Sequence, residues 1–148
     1  MYLAIDPGRD TGYAVFQDRD HLTACGLGLP WATVDPEKVR TAVIERPQIY
    51  NARNMKGDPN DIVTLALGAG EYAGVLRRAG VRVTYVKPHE WKGTTPKEVD
   101  NARTIASLSD AERRIVKAAA YHIPTSKQHN MLDAIGFGRA CFDKHLWL

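Results

Sequence analysis

Cysteine is nearly absent from this chain. The two present in 148 residues, Cys25 and Cys141, stand near opposite ends with no CxxC or CxxH context. Neither a zinc site nor a disulfide framework is indicated, and both read as small buried hydrophobes. Long apolar runs are absent too. No stretch approaches the ~18 residues that a membrane helix needs, and no basic segment leads into an apolar core and cleavage site. The expectation is a cytoplasmic protein with no membrane partner. Repeats, low-complexity tracts and linkers are missing, which leaves one domain over residues 1–148, a length too short for two lobes of ordinary size. Charge of one sign is not dominant. The net charge is +3, yet the sequence pI of about 8.9 and the clusters Arg77-Arg78, Lys87, Lys92, Lys97 and Arg113-Arg114 tilt the surface towards a polyanion.

What is present is concentrated first in Met1-Tyr-Leu-Ala-Ile-Asp-Pro-Gly-Arg-Asp-Thr-Gly-Tyr-Ala-Val-Phe16. A strand runs into Asp6, turns through residues 7–12 and returns through Tyr13 to Phe16. His21 to Leu29 pairs back as a third strand, completing an antiparallel meander. Thr41-Ala-Val-Ile-Glu45 is a short buried strand that again ends on an acid. Residues 46–60 show no period and form a long loop. A helix follows to Ala79, with Ile62, Leu65, Ala69, Ala73 and Leu76 at helical spacing and Gly80 as its stop. Its Gly68, Gly70 and Gly74 each cost about 1 kcal/mol of helix propensity relative to Ala, and close approach of another backbone is the expected compensation. Val81 to Val86 is a fifth strand, parallel to its neighbour because a helix precedes it. A loop over 87–96, helices over 96–108 and 109–122, the first residues of the latter forming a Ser109-Asp-Ala-Glu112 capping box, and a last helix over 129–142 complete the chain.

Asp6, Glu45 and Asp133 terminate two strands and sit on the final helix, where Asn130 lies three residues earlier and therefore on the same face. Each acid alone has an ordinary explanation, as a turn initiator or a helix-dipole partner. Gathered at one sheet edge, the three would repel one another unless a cation were present. Oxygen ligands without cysteine point to magnesium, with manganese as substitute, rather than zinc. Two such ions are the apparatus of phosphodiester hydrolysis.

The ordered set Ile5-Asp-Pro-Gly…Thr-Gly12, Val43-Ile-Glu45, Leu65-Ala-Leu-Gly-Ala-Gly70, Val86-Lys-Pro…Trp91-Lys-Gly and Asn130-Met-Leu-Asp-Ala134 resembles the RuvC family of Holliday-junction resolvases, in the ribonuclease H-like superfamily, and its compact phage-type members in particular. The resemblance implies an α/β fold, a five-stranded mixed sheet flanked by helices. It also implies a homodimer that binds four-way DNA junctions and makes paired symmetric nicks with two ions per active site. Asp6 would bridge both ions, Glu45 would hold one and Asp133 the other. The family's fourth ligand falls at Asn130, whose neutral amide departs from the usual Asp or His; His129 is the adjacent alternative. Dimerisation is assigned to the Gly-rich helix over 61–79, against the alternative that its glycines pack on their own sheet.

In this reading the loop after Glu45 reaches the DNA through Arg46, Gln48, Tyr50, Arg53 and Lys56, with Gln48 near the family's wedge position and Tyr50 displaced from it. Lys87, Lys92 and Lys97 surround Trp91, a pattern suited to a phosphate backbone, although Trp91 would equally plug the end of the core. A nucleotide-binding ATPase with a similar opening turn would need two such lobes, so no nucleotide cofactor is expected. The remaining alternatives are a related nuclease cutting flaps or other branched DNA and a catalytically weak junction-binding protein.

Overall fold

The computed structural model of the chain describes residues 1–49 and 57–147. Five strands, β1 (Tyr2–Asp6), β2 (Gly12–Asp18), β3 (His21–Leu27), β4 (Thr41–Glu45) and β5 (Arg82–Val86), form one sheet in the order β3-β2-β1-β4-β5. The meander β1-β2-β3 is antiparallel, and β4 and β5 add in parallel on the other side of β1. Among the described residues five α-helices flank it: α1 (Pro59–Arg78), α2 (Pro88–Trp91), α3 (Lys97–Ser107), α4 (Asp110–Ala120) and α5 (Gln128–Asp143). The mixed sheet read from the sequence is the sheet observed. Among the described residues no helix is long and apolar enough to cross a membrane.

Alternation along the strands sorts the core into two layers. Leu3, Ile5, Tyr13, Val15, Ala42 and Ile44 face α1 and meet Ala69, Ala73 and Leu76. Ala4, Ala14, Phe16, Val43 and Val86 face the other way, onto Met131, Ala134, Ile135, Phe137 and Cys141 of α5. Each fully buried Leu, Ile or Phe contributes roughly 1.5–3 kcal/mol. Cys25 and Cys141 are unpaired and buried as expected, and burial pushes both thiols up to about 12.

Helix α5 lies low on the sheet because the residues beneath it are small. A Cβ on Gly12 would stand 2.1 Å from the carbonyl oxygen of Asn130, and one on Gly138 would stand 2.3 Å from Phe16. The capping box at α4 does more than start a helix. Glu112 accepts from the backbone of Ser109 and Leu22 and pairs at 2.7 Å with the buried Arg139, joining α4, β3 and α5.

Three local expectations change. The 87–96 segment is not all loop: Pro88 at the first helical position and the Glu90 carboxylate, which accepts from the Lys87 N–H at 2.6 Å, fold α2. The last helix starts one residue early, at Gln128, whose side-chain amide donates to the carbonyls of Ala120 and Ile123. Among the described residues, the glycines of α1 pack neither on their own sheet nor on any other backbone. A Cβ on Gly68, Gly70 or Gly74 would meet nothing within 4 Å.

Candidate active site

Strand register brings the first two acids together. Ile5 stands opposite Ile44 in the parallel β1–β4 pair, so Asp6 and Glu45, the next residue of each strand, leave the sheet side by side. Both continue the alternation of Ala4 and Val43 and therefore emerge on the α5 side. There α5 presents Asn130 and Asp133 one turn apart. These four residues line a cleft of about 250 Å³ whose remaining walls include Asp10 of the β1–β2 turn, Trp91, Lys92 and Lys97.

The cleft is hostile to unbalanced negative charge. Burial, then the charges of Glu45 and Asp133, push the Asp6 carboxyl up to about 8, against the partial relief given by Lys97 and Lys92. Burial also raises Glu45, offset by the Trp91 indole N–H, which donates to Oε2 at 2.6 Å, and by Lys92. Asp133 meets the Lys97 ammonium at 2.7 Å, and Asp10 meets Lys127 at 2.9 Å. As placed, no three Asp, Glu, His or Cys residues among those described form a group that could hold an ion. Lys97 supplies the countercharge on Asp133, and Trp91 engages Glu45. The donors nonetheless suit a hard divalent cation: three carboxylates and the Asn130 amide, with no thiol or imidazole lining the cleft. The Lys97 side chain is 45% exposed and has room to leave.

Neither a protein-family model nor a curated protein sequence matches the chain. Solved structures do. RuvC of T. thermophilus in complex with a Holliday junction substrate superimposes over 98% of this chain and 94% of its own, with a TM-score of 0.56 at 17% identity. The chain has the RuvC fold. A second Thermus thermophilus RuvC structure covers 98% of this chain and 95% of its own at 15% identity, with a TM-score of 0.39.

On this RuvC-like fold the expected ligands Asp6, Glu45, Asp133 and Asn130 share the cleft, whereas His129, in the first turn of α5, is not part of its lining. Trp91 is half-buried in the wall of the cleft. It packs on Phe137 at 5.2 Å between centroids while its N–H holds Glu45, and Lys92 sits 5.5 Å over its face. Lys97 is bound to Asp133 rather than standing clear for a phosphate. Gln48 and Lys92 line an adjoining cavity of about 320 Å³ that also reaches Glu45, and Arg46 and Lys87 are exposed nearby. Tyr50, Arg53 and Lys56 lie outside the described residues. The sequence reading missed Asp10 and Lys127. Their only signal was an acid inside the β1–β2 turn, because the contact joins residues far apart in the chain.

Proposed function

We propose that this chain is a metal-dependent, structure-selective endonuclease that resolves four-way DNA junctions by paired symmetric nicks. The observation that carries the reading is a single cleft in which Asp6, Glu45 and Asp133 meet, where burial first and then the charges of Glu45 and Asp133 hold the Asp6 carboxyl up to about 8. Such repulsion is relieved by cations. Asp6 would hold two magnesium or manganese ions jointly, with Glu45 on one and Asp133 and the Asn130 carbonyl on the other. Bound there, the ions supply an activated water and a stabilised leaving oxygen.

The chain's own residues do the rest. Lys97 releases Asp133 and remains beside the cleft as a cation for the scissile phosphate, and Lys92, Lys87 and Arg46 line the approach of the backbone. Paired cutting requires two clefts, hence a homodimer. The exposed face of α1 offers the surface: Val63 and Leu67, 58% and 66% exposed, continue into the open Gly70 and Gly74. On this reading the protein acts in the cytoplasm of a bacterium or a phage-infected host, as a compact phage-type resolvase. The RuvC neighbour's junction complex supports four-way DNA as the substrate.

A second reading rests on Asn130. A neutral amide in place of an acid weakens the hold on a cation, which would leave a junction-binding protein of low activity. Labelled four-way junctions, flaps, duplexes and RNA hybrids, each incubated with magnesium and mapped for cuts, separate these outcomes. Symmetric nicks on the four-way junction, lost in Asp6→Asn while junction binding persists, are expected. An Asp6→Asn protein that cuts at the wild-type rate would remove Asp6 from the mechanism, and tight junction binding without cleavage would favour the second reading.

A further inference from the structure

The hydrogen bond between Trp91 and Glu45 spans three elements. Glu45 ends β4, Trp91 ends the four-residue helix α2, and Phe137, on which the indole rests, belongs to α5. Helix α2 is itself fixed at its start, where the Lys87 N–H donates to Glu90 at 2.6 Å and the Glu90 N–H to the Lys87 carbonyl at 2.9 Å. The ring is therefore held at its base by a folded turn and on one face by the core. Its only polar atom is spent on a candidate ligand carboxylate, at 2.6 Å.

A Glu side chain has three rotatable bonds and loses considerable freedom when it is fixed on a cation. An N–H that engages one oxygen removes part of that freedom beforehand and leaves the other oxygen to a cation. We propose that Trp91 is the positioning residue for Glu45, presenting it as a one-oxygen ligand to a divalent cation in the cleft. The inference rests on the metal-dependent reading above. It also reassigns Trp91: the indole serves the carboxylate, and the cationic face formed with Lys92 is secondary. Outer-shell donors of this kind typically change metal affinity about 10–100-fold when removed.

The test is a double-mutant cycle read by Mn²⁺ binding without DNA, using calorimetry on the full chain. Trp91→Phe keeps a ring against Phe137 and deletes the N–H. Its Mn²⁺ Kd should rise about 10-fold or more with thermal stability close to wild type. In a Glu45→Gln background the same change should produce little further loss, because Trp91 acts through Glu45. Wild-type affinity in Trp91→Phe, or full additivity with Glu45→Gln, overturns the inference. Failure of the wild type itself to bind Mn²⁺, or undiminished binding by Glu45→Gln, overturns the metal reading on which it rests. Should Trp91→Phe not fold, the wild-type protein supplies the readout by nuclear magnetic resonance. The Trp91 indole N–H signal should be shifted downfield, move on Mg²⁺ addition and lose its shift in Glu45→Gln; a signal indifferent to both changes overturns the inference.

Discussion

Asp6 is the residue on which the cleft's electrostatics turn. Its carboxyl stands at about 8 rather than in the usual range near 4 because burial, Glu45 and Asp133 all disfavour the charged form. The folded protein without metal therefore holds this proton more tightly than the unfolded chain. The resulting stability is fully present below the unfolded value and is lost as pH rises through about 8. An Asn at this position carries no charge to desolvate, so Asp6→Asn should melt higher than wild type in chelator at pH 8, by about 5 °C or more, and show a much smaller difference at pH 4. Mn²⁺ at pH 8 should raise the wild type and leave the variant nearly unmoved. Thermal melts across that range check both statements, and shared titrations such as the His21–Asp18 pair cancel in the difference. The sequence supplied Asp6, Glu45 and Asp133 as candidates. It did not supply the Lys97 and Lys127 partners, whose ammonium groups meet Asp133 and Asp10 from separate parts of the chain.

At the scale of elements, glycines on two helices play opposite parts. In α5, Gly138 sits where a Cβ would collide with Phe16 at 2.3 Å and press on Ala4 at 3.1 Å. In α1, Gly70 faces open space. Gly138→Ala should therefore destabilise by about 1–3 kcal/mol through overpacking, despite its gain in helix propensity. Gly70→Ala should stabilise the unassociated chain by up to ~1 kcal/mol. Urea unfolding at low protein concentration distinguishes the two. Periodicity alone located both helices, because apolar spacing reports which positions are buried. It could not say which glycines touch a neighbour, since close approach depends on how an element is set against the sheet. Helix α2 was hidden for a related reason: four residues are too few to show a period, and a single carboxylate at Glu90 folds the turn.

For the whole molecule, the apolar outer face of α1 is left uncovered by the described residues. Val63 and Leu67 are exposed beside open glycines, with Val75 40% exposed farther along the helix. In the proposed resolvase this face meets its twofold mate, and the two clefts act on strands of like polarity. Leu67→Glu places a charge at the centre of that face without touching the core. It should sediment as a monomer where the wild type is expected to sediment as a dimer, lose any dependence of its melting temperature on protein concentration, and nick junction strands singly. A wild-type protein that is monomeric at micromolar concentration would remove the paired mechanism.

The order of elements, the layering of the sheet and the identity of the acids were determined by the sequence itself, because strand alternation, helical spacing and turn residues act over short stretches of chain. The meeting of Asp6 with Glu45, the seating of Asp133 above them and the engagement of Trp91 and Lys97 were decided by tertiary structure. Those contacts depend on strand register, which no local pattern carries, and on the small residues at 12 and 138 that let α5 settle against β2.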